Sequence, residues 1–349
     1  YDGNYTSQVF PAGYYATWNN ISWVSNYMGA LPDNASEEGL NMSGNVLLFH
    51  YDNNSAYGEN GSHIYDFSGN NNNGSCMGVS CPVYNDSGRF SKAMSFNNNN
   101  ITVPFSPSLN ITEDITIEAW VTRESANNDM QIIARDESGA RVYALKQYDD
   151  NFEFKVWKDN SAWSGITGNS AVETTGQTWY HVVGRYCYGG DGSSTMDLFV
   201  NGMKDQITAT SAVGPINDVS SPLYIGLRGY GGGEWIGKID ETAIYNRCLD
   251  NQEIIDRYKA GATRFLNVTV RSCDDSICSG ESWVDIADTS PQDLPVSDNS
   301  YFQYKFDFQT DNLNFTPDLY NVSIHYSKQP ASCSLSLTPS PVVYGAQTL

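Results

Sequence analysis

Residues 115–123 read ITIEAWVTR. Ile115, Ile117, Ala119 and Val121 alternate with Thr116, Glu118, Trp120 and Thr122. A period of two places one set on each face of a half-buried strand. The pattern recurs in RVYALKQY (141–148), NFEFKVWK (151–158), TWYHVVGRYC (178–187) and, far downstream, YFQYKFDFQ (301–309). MDLFVNGMK (196–204) contains Asn201-Gly202, a strong two-residue hairpin signal. Turn residues punctuate these runs about every ten positions, the spacing of a β-sandwich. The fold class expected is therefore all-β.

One helix interrupts the strands. Asp250-Asn251-Gln252-Glu253 is an Asp version of a capping box, with Leu249 before it and Ile254, Ile255 and Tyr258 after it. Gly261 is expected to end the helix. It marks a boundary, with a long sandwich-like stretch before it and a second set of strands after it, at 264–273, 282–287, 301–311 and 320–327.

Length and charge set further limits. At roughly 150 residues per domain, 349 residues predict about two domains. The 40 acidic and 19 basic side chains give a net charge of −21, which disfavours nucleic acid and anionic lipid as main partners. No run of about 18 apolar residues offers a membrane span. The sequence opens at Tyr1 without a leader pattern, and any leader is expected to have been removed or left out.

Seven cysteines are present. Cys76 and Cys81 flank four residues, as do Cys273 and Cys278. Neither pair has the second Cys or His pair that a zinc site requires, so small disulfide loops are expected. Cys187 and Cys248 would then pair at long range, with Cys333 left over. Thirteen N-x-Ser/Thr sequons occur, from Asn4 to Asn321, and none lies between 111 and 266. They read either as a by-product of Asn-rich loops or as glycosylation sites of a surface protein. Both readings place them in solvent-facing loops.

Residues 1–27 carry strand patterns at 7–10 and 17–24, too few strands for a domain. Joined to 264–328 they make a reasonable small sandwich, so one split domain is expected, with the other inserted in it. The alternative is that 1–27 belong to a preceding domain. Residues 28–43 read as a linker, and residues 44–261 as the inserted domain. The tail 330–349 has strand character and the unpaired Cys333. It reads as the start of a further domain, or as a segment that pairs with a neighbouring chain.

Four places then resemble one family: YDFSGNNNNG (65–74) near NVLLFHY (45–51); RFSKAMSF (89–96); WYHVV (179–183) with LFVNG (198–202); and GKIDETAIY (237–245), leading into the capped helix. Their order and spacing, over about 41–261, resemble the laminin G-like, concanavalin A-like jelly roll of microbial surface and secreted proteins. The flanking pieces resemble, more loosely, small sandwich modules that accompany such domains in archaeal and bacterial surface proteins. The resemblance implies that Cys187 and Cys248 replace usual alanines, which favours their bridging. It also implies a structural calcium ion, with Asp66 and Asp240 as carboxylate ligands and Asn70 as the loop Asn. Calcium needs several hard oxygens. The plainer reading of Asp66 is a turn capped through its own backbone.

Jelly rolls of this shape include glycosidases, which need two carboxylates across one bond. In that related group they stand on one strand as Glu-x-Asp-x-x-Glu, a run absent here. Glu118 is a single acid, and the adjacent Asp240 and Glu241 are expected on opposite faces. The histidines 50, 63, 181 and 325 are scattered, and His181 reads as structural. A non-catalytic protein is expected. Tyr230, Trp235 and Trp163 lie in or beside Gly/Ser-rich loops, as exposed sugar-stacking aromatics would, although core packing accounts for most tryptophans. Two functions follow: an adhesion module at the cell surface, binding carbohydrate or a surface protein, or a self-associating subunit of a surface layer or filament.

Overall fold

The computed structural model describes residues 2–25, 29–33, 39–159, 161–190, 193–205, 208–209, 214–287, 289–315 and 317–329. The chain divides into two compact units. The larger takes 25–264 and 309–318; the smaller takes 2–24, 265–308 and 319–329.

The larger unit is a sandwich of two antiparallel sheets. In the eight-stranded sheet, Ile115–Val121 lies between Tyr180–Cys187 and Ile236–Tyr245. In the nine-stranded sheet the run Trp163–Thr167, Asn151–Trp157, Ala140–Tyr148, Asp129–Glu137 and Leu223–Ile225 is continuous. Apolar residues of both sheets interdigitate between them: Ile117, Ala119, Val121 and Val182 from one, Met130, Tyr143, Phe152 and Phe154 from the other. The hairpin at Asn201-Gly202 forms, with φ of 51° and 74° at those residues and Val200 opposite Met203.

The outer face of the eight-stranded sheet is covered. Leu48, Val183, Phe199, Ala243 and Tyr245 pack there against Leu249, Ile254 and Ala260. The helix Asn251–Ala262 has both halves of its capping box, Asp250 accepting from the Glu253 N–H and Glu253 accepting from the Asp250 N–H. Gly261 does not end the helix, which runs on to Ala262. A Cβ at Gly261 would stand 2.3 Å from Trp120 Cζ2, so glycine serves close packing here. Leu31, Leu40 and Met42 are buried in the same cluster, so the described parts of the expected linker, 29–33 and 39–43, pack on this sheet.

In the smaller unit, Phe10–Ser25 pairs with Asn299–Thr310, Gln292–Asp293 and Leu319–Lys328 within a seven-stranded sheet. Trp18 stacks on Phe302 at 5.0 Å, and Trp23 meets Phe306 edge-on at 5.2 Å. Residues 309–318, read from sequence with this module, belong to the larger unit. The tail 330–349 and Cys333 lie outside the described residues. Disulfides join Cys76–Cys81, Cys187–Cys248 and Cys273–Cys278.

Candidate binding face

The outer face of the nine-stranded sheet follows from the register. Phe152, Phe154 and Val156 enter the core, so Glu153, Lys155 and Trp157 point the other way. Their cross-strand neighbours share that face: Lys146 opposite Glu153, Ala144 and Gly165 opposite Lys155, and Trp163 opposite Trp157. On the next strand Asp129, Gln131, Ala134 and Asp136 stand opposite Tyr148, Lys146, Ala144 and Arg141. A register shift between Gln131 and Ile133 lets Ile132 and Ile133 both reach the core while Gln131 stays outside. Tyr224 follows, opposite Ala134.

Small residues open the floor of this face. A Cβ on Gly165 would stand 2.8 Å from Trp163 Cζ3 and 3.1 Å from Lys155 Cγ. Glycine thus admits the indole beside Lys155, whose ammonium lies 4.3 Å from the ring centroid. Ala134 and Ala144 pack with Trp157. Trp163 remains 45% exposed, and Tyr148 and Tyr230 43% each.

Charges on this face are paired. Lys146 Nζ lies 2.6 Å from Asp129 Oδ1 and 3.5 Å from Glu153 Oε2, and Lys155 Nζ lies 3.1 Å from Glu153 Oε1. Arg228 Nη2 lies 2.7 Å from Asp129 Oδ2, and Arg141 Nε lies 3.2 Å from Asp136 Oδ1. Arg228 also donates to the Tyr230 hydroxyl at 3.0 Å. The Arg141 and Arg228 guanidiniums sit 5.5 and 5.2 Å from the Tyr230 ring centroid. Burial works against ionisation of Asp129, but Lys146 and Arg228 outweigh it and hold the carboxyl below its ordinary range. Burial pushes Asp136 up despite Arg141. Two buried polar atoms of this face, Gln131 Oε1 and Trp157 Nε1, find neither a hydrogen-bond nor an ion-pair partner, whereas Asp136 Oδ1 and Glu153 Oε2 are met by Arg141 and Lys146. Such atoms are costly unless something else meets them.

Of the three aromatics picked from sequence, the structure brings Trp163 and Tyr230 to this face and removes Trp235. That indole is 0% exposed and lies in the sandwich core. The glycines 231–233, all at positive φ, make the turn, and the chain re-enters the sheet with the Trp235 N–H on the Gly226 carbonyl. Nearness to a Gly-rich loop did not mean exposure. Sequence reasoning missed Tyr148, Lys146, Gln131, Glu153 and Trp157. The signal lay in NFEFKVWK, whose period of two already set Glu, Lys and Trp on one face.

The residues implied for calcium do not form one site. Asp66 accepts from the Leu48, Ser68 and Asn72 N–H groups and from the Ser68 hydroxyl. That is the turn-capping role. Asp240 accepts from the N–H groups of Arg89, Phe90 and Glu241. The two share no partner, and Asn70 donates its amide to Asn45 and Ser68. Carboxylate oxygens aimed at N–H donors do not fit a cation that needs six or more oxygens.

The remaining acids lie under the helix. Glu118 is bound by His181 at 3.0 Å, Tyr245 at 2.8 Å and Arg257 at 3.2 Å, all buried. His181 is structural, but it does have an acid beside it, supplied by the neighbouring strand. Burial raises the Glu118 pKa, and His181, Arg257 and Tyr245 together pull it below the ordinary value. Asp240 and Glu241 are both buried at a register shift, with Glu241 at φ 47°, so simple alternation fails there. Glu241 accepts from His50 Nδ1 at 2.7 Å and from the Leu31 N–H at 2.9 Å, and His50 Nε2 lies 2.9 Å from Asp33.

Residues 96–255 match the family model of the concanavalin A-like lectin/glucanases superfamily, Laminin_G_3. The larger unit thus has the concanavalin A-like fold and carries the match to the laminin G-like model, within a nearly all-β chain. No curated protein matches the sequence. Among solved structures, the chain is similar to the binding domain of Paraclostridial Mosquitocidal Protein 1, at 19% identity and a TM-score of 0.49 over 67% of this chain and 62% of that one. It is also similar to domain 4 of AbnA, a GH43 extracellular arabinanase from Geobacillus stearothermophilus, in complex with arabinotriose. There identity is 18% and the TM-score 0.46, over 61% of this chain and 98% of that one. A third is the botulinum neurotoxin serotype D ligand binding domain in complex with N-acetylneuraminic acid, at 14%, 0.45, 65% and 56% respectively. The disulfides suit an oxidising, non-cytoplasmic setting. No helix among the described residues is long and apolar enough to cross a membrane.

Proposed function

We propose that this chain is a binding module of an extracellular, cell-surface protein that holds carbohydrate on the outer face of its nine-stranded sheet, without catalysis. The observation that carries the reading is the juxtaposition of exposed Trp163 and Tyr148 with buried, unpartnered polar atoms of Gln131 and Trp157. Sugars present apolar ring faces to aromatics and hydroxyls to polar groups. A few convergent polar atoms beside aromatic surface mark a ligand site. The superfamily of the matched family model contains lectins as well as glucanases. Asp129, Asp136 and Glu153 each lie in an ion pair, which favours holding a ligand over delivering a proton to it. Exposed sequon asparagines at 4, 41, 53 and 60 support a secreted, glycosylated surface protein.

Retention on a panel of immobilised polysaccharides tests the reading. At least one is expected to retain the protein, and Trp163→Ala is expected to weaken that retention about tenfold or more, roughly 1.4 kcal/mol. Failure of every polysaccharide to bind, or equal binding by the variant, overturns it.

A further inference from the structure

We propose that the face selects neutral, hydroxyl-rich glycans and discriminates against those carrying carboxylates. This inference rests on the carbohydrate-binding reading above and concerns the chemistry of the ligand. An acidic sugar needs a cation with spare capacity. Asp129 takes both Lys146 and Arg228, Glu153 takes Lys155, and Asp136 takes Arg141. Glu137 accepts from the Tyr224 hydroxyl at one end of the face. The acids Asp129, Asp136, Glu137 and Glu153 therefore balance the bases Arg141, Lys146, Lys155 and Arg228, and no net positive charge is left to attract an anion.

The unmet atoms point the same way. One is an acceptor, Gln131 Oε1, and one is a donor, Trp157 Nε1. A hydroxyl both donates and accepts, so a neutral sugar that reaches them can meet both. A carboxylate accepts only. It would serve the indole N–H alone, and its charge would face Asp136 and Glu153. The side chains involved are each more than nine-tenths buried, so water screens that repulsion little.

The chain's charge of −21 repels anions at long range wherever they bind, so the test must separate local selectivity from this field. Acidic polysaccharides and their carboxyl-reduced counterparts are compared with neutral polysaccharides at about 0.5 M salt, where the Debye length is shorter than about 8 Å. The expected result is retention of a neutral glycan, sensitive to Trp163→Ala and unchanged between low and high salt, with each acidic polymer bound less than its reduced form. Glu153→Gln removes one of the four acids and is expected to narrow that gap severalfold. If an acidic polymer binds through Trp163 more tightly than its reduced counterpart, the selectivity is wrong and the binding reading stands. If no glycan is retained, or retention ignores Trp163→Ala, both fall.

Discussion

Beneath the helix, on the outer face of the eight-stranded sheet, Glu118 is enclosed by His181, Tyr245 and Arg257. On the outer face of the nine-stranded sheet, Glu153 stands between Lys146 and Lys155 with Trp163 exposed alongside. Both faces are charged and aromatic. The first is closed by the helix and by Leu31, Leu40 and Met42, and both Glu118 oxygens are met. The second leaves the Trp163 and Tyr148 rings exposed. The covered face uses its charges to hold the fold together; the open one is where the proposed ligand would lie.

The largest difference should appear on removal of a cation. Arg257→Ala leaves Glu118 buried without its guanidinium, and loss of one partner of a buried pair costs about 3–5 kcal/mol. Lys155→Ala on the open face should cost less, because Lys146 still faces the Glu153 carboxylate. Urea unfolding of both variants checks the contrast. Equal losses would show that the open face is no less structural than the covered one.

The bridge Cys187–Cys248 joins a strand of the eight-stranded sheet to the segment just before the helix cap, across 61 residues. By the loop-entropy model, a closure of that length contributes up to about 4 kcal/mol. The double variant Cys187→Ala/Cys248→Ala should lower the urea midpoint by a corresponding amount and leave glycan retention unchanged where the protein stays folded. Retention lost in the folded variant would tie the two faces together.

Legibility in the sequence followed the range of the physics. Period-two runs, the Asn201-Gly202 turn and the Asp250–Glu253 box are local, and each formed. The short cysteine pairs were equally local. What failed depended on neighbours that the sequence does not place. Trp235 looked loop-borne and is core; Gly261 looked like a stop and is a seat for Trp120. Asp66 and Asp240 belong to separate hydrogen-bond systems. Lys146 meets Glu153, and Trp163 meets Trp157, only through cross-strand register. The face was therefore readable strand by strand, but not as a surface.

A further expected effect is a pH dependence confined to the covered face. Both ring nitrogens of His50 face carboxylate oxygens, Nδ1 toward Glu241 and Nε2 toward Asp33, so the ring serves as an imidazolium with two N–H donors. Burial opposes that charge, but Glu241 and Asp33 outweigh it and hold the His50 pKa well above its ordinary value. A folded-state pKa raised above the unfolded one contributes stability that is complete below the unfolded value, about 6.5, and is lost as pH climbs through the folded value. Glu241 also accepts from the Leu31 N–H, so the imidazolium helps hold the segment that covers this sheet. His50→Gln should therefore cost about 1.5–3 kcal/mol near pH 6, the range of a charged hydrogen bond. The gap between variant and wild type should shrink as pH rises. Burial raises the Asp240 pKa, and that of Glu241 despite His50, so stability falls from lower pH as well. The variant isolates the His50 share of that fall. Urea midpoints measured from about pH 6 to pH 10 decide it: a gap that stays constant, or widens with pH, would mean His50 is neutral in the fold and the covering segment is held by apolar packing alone.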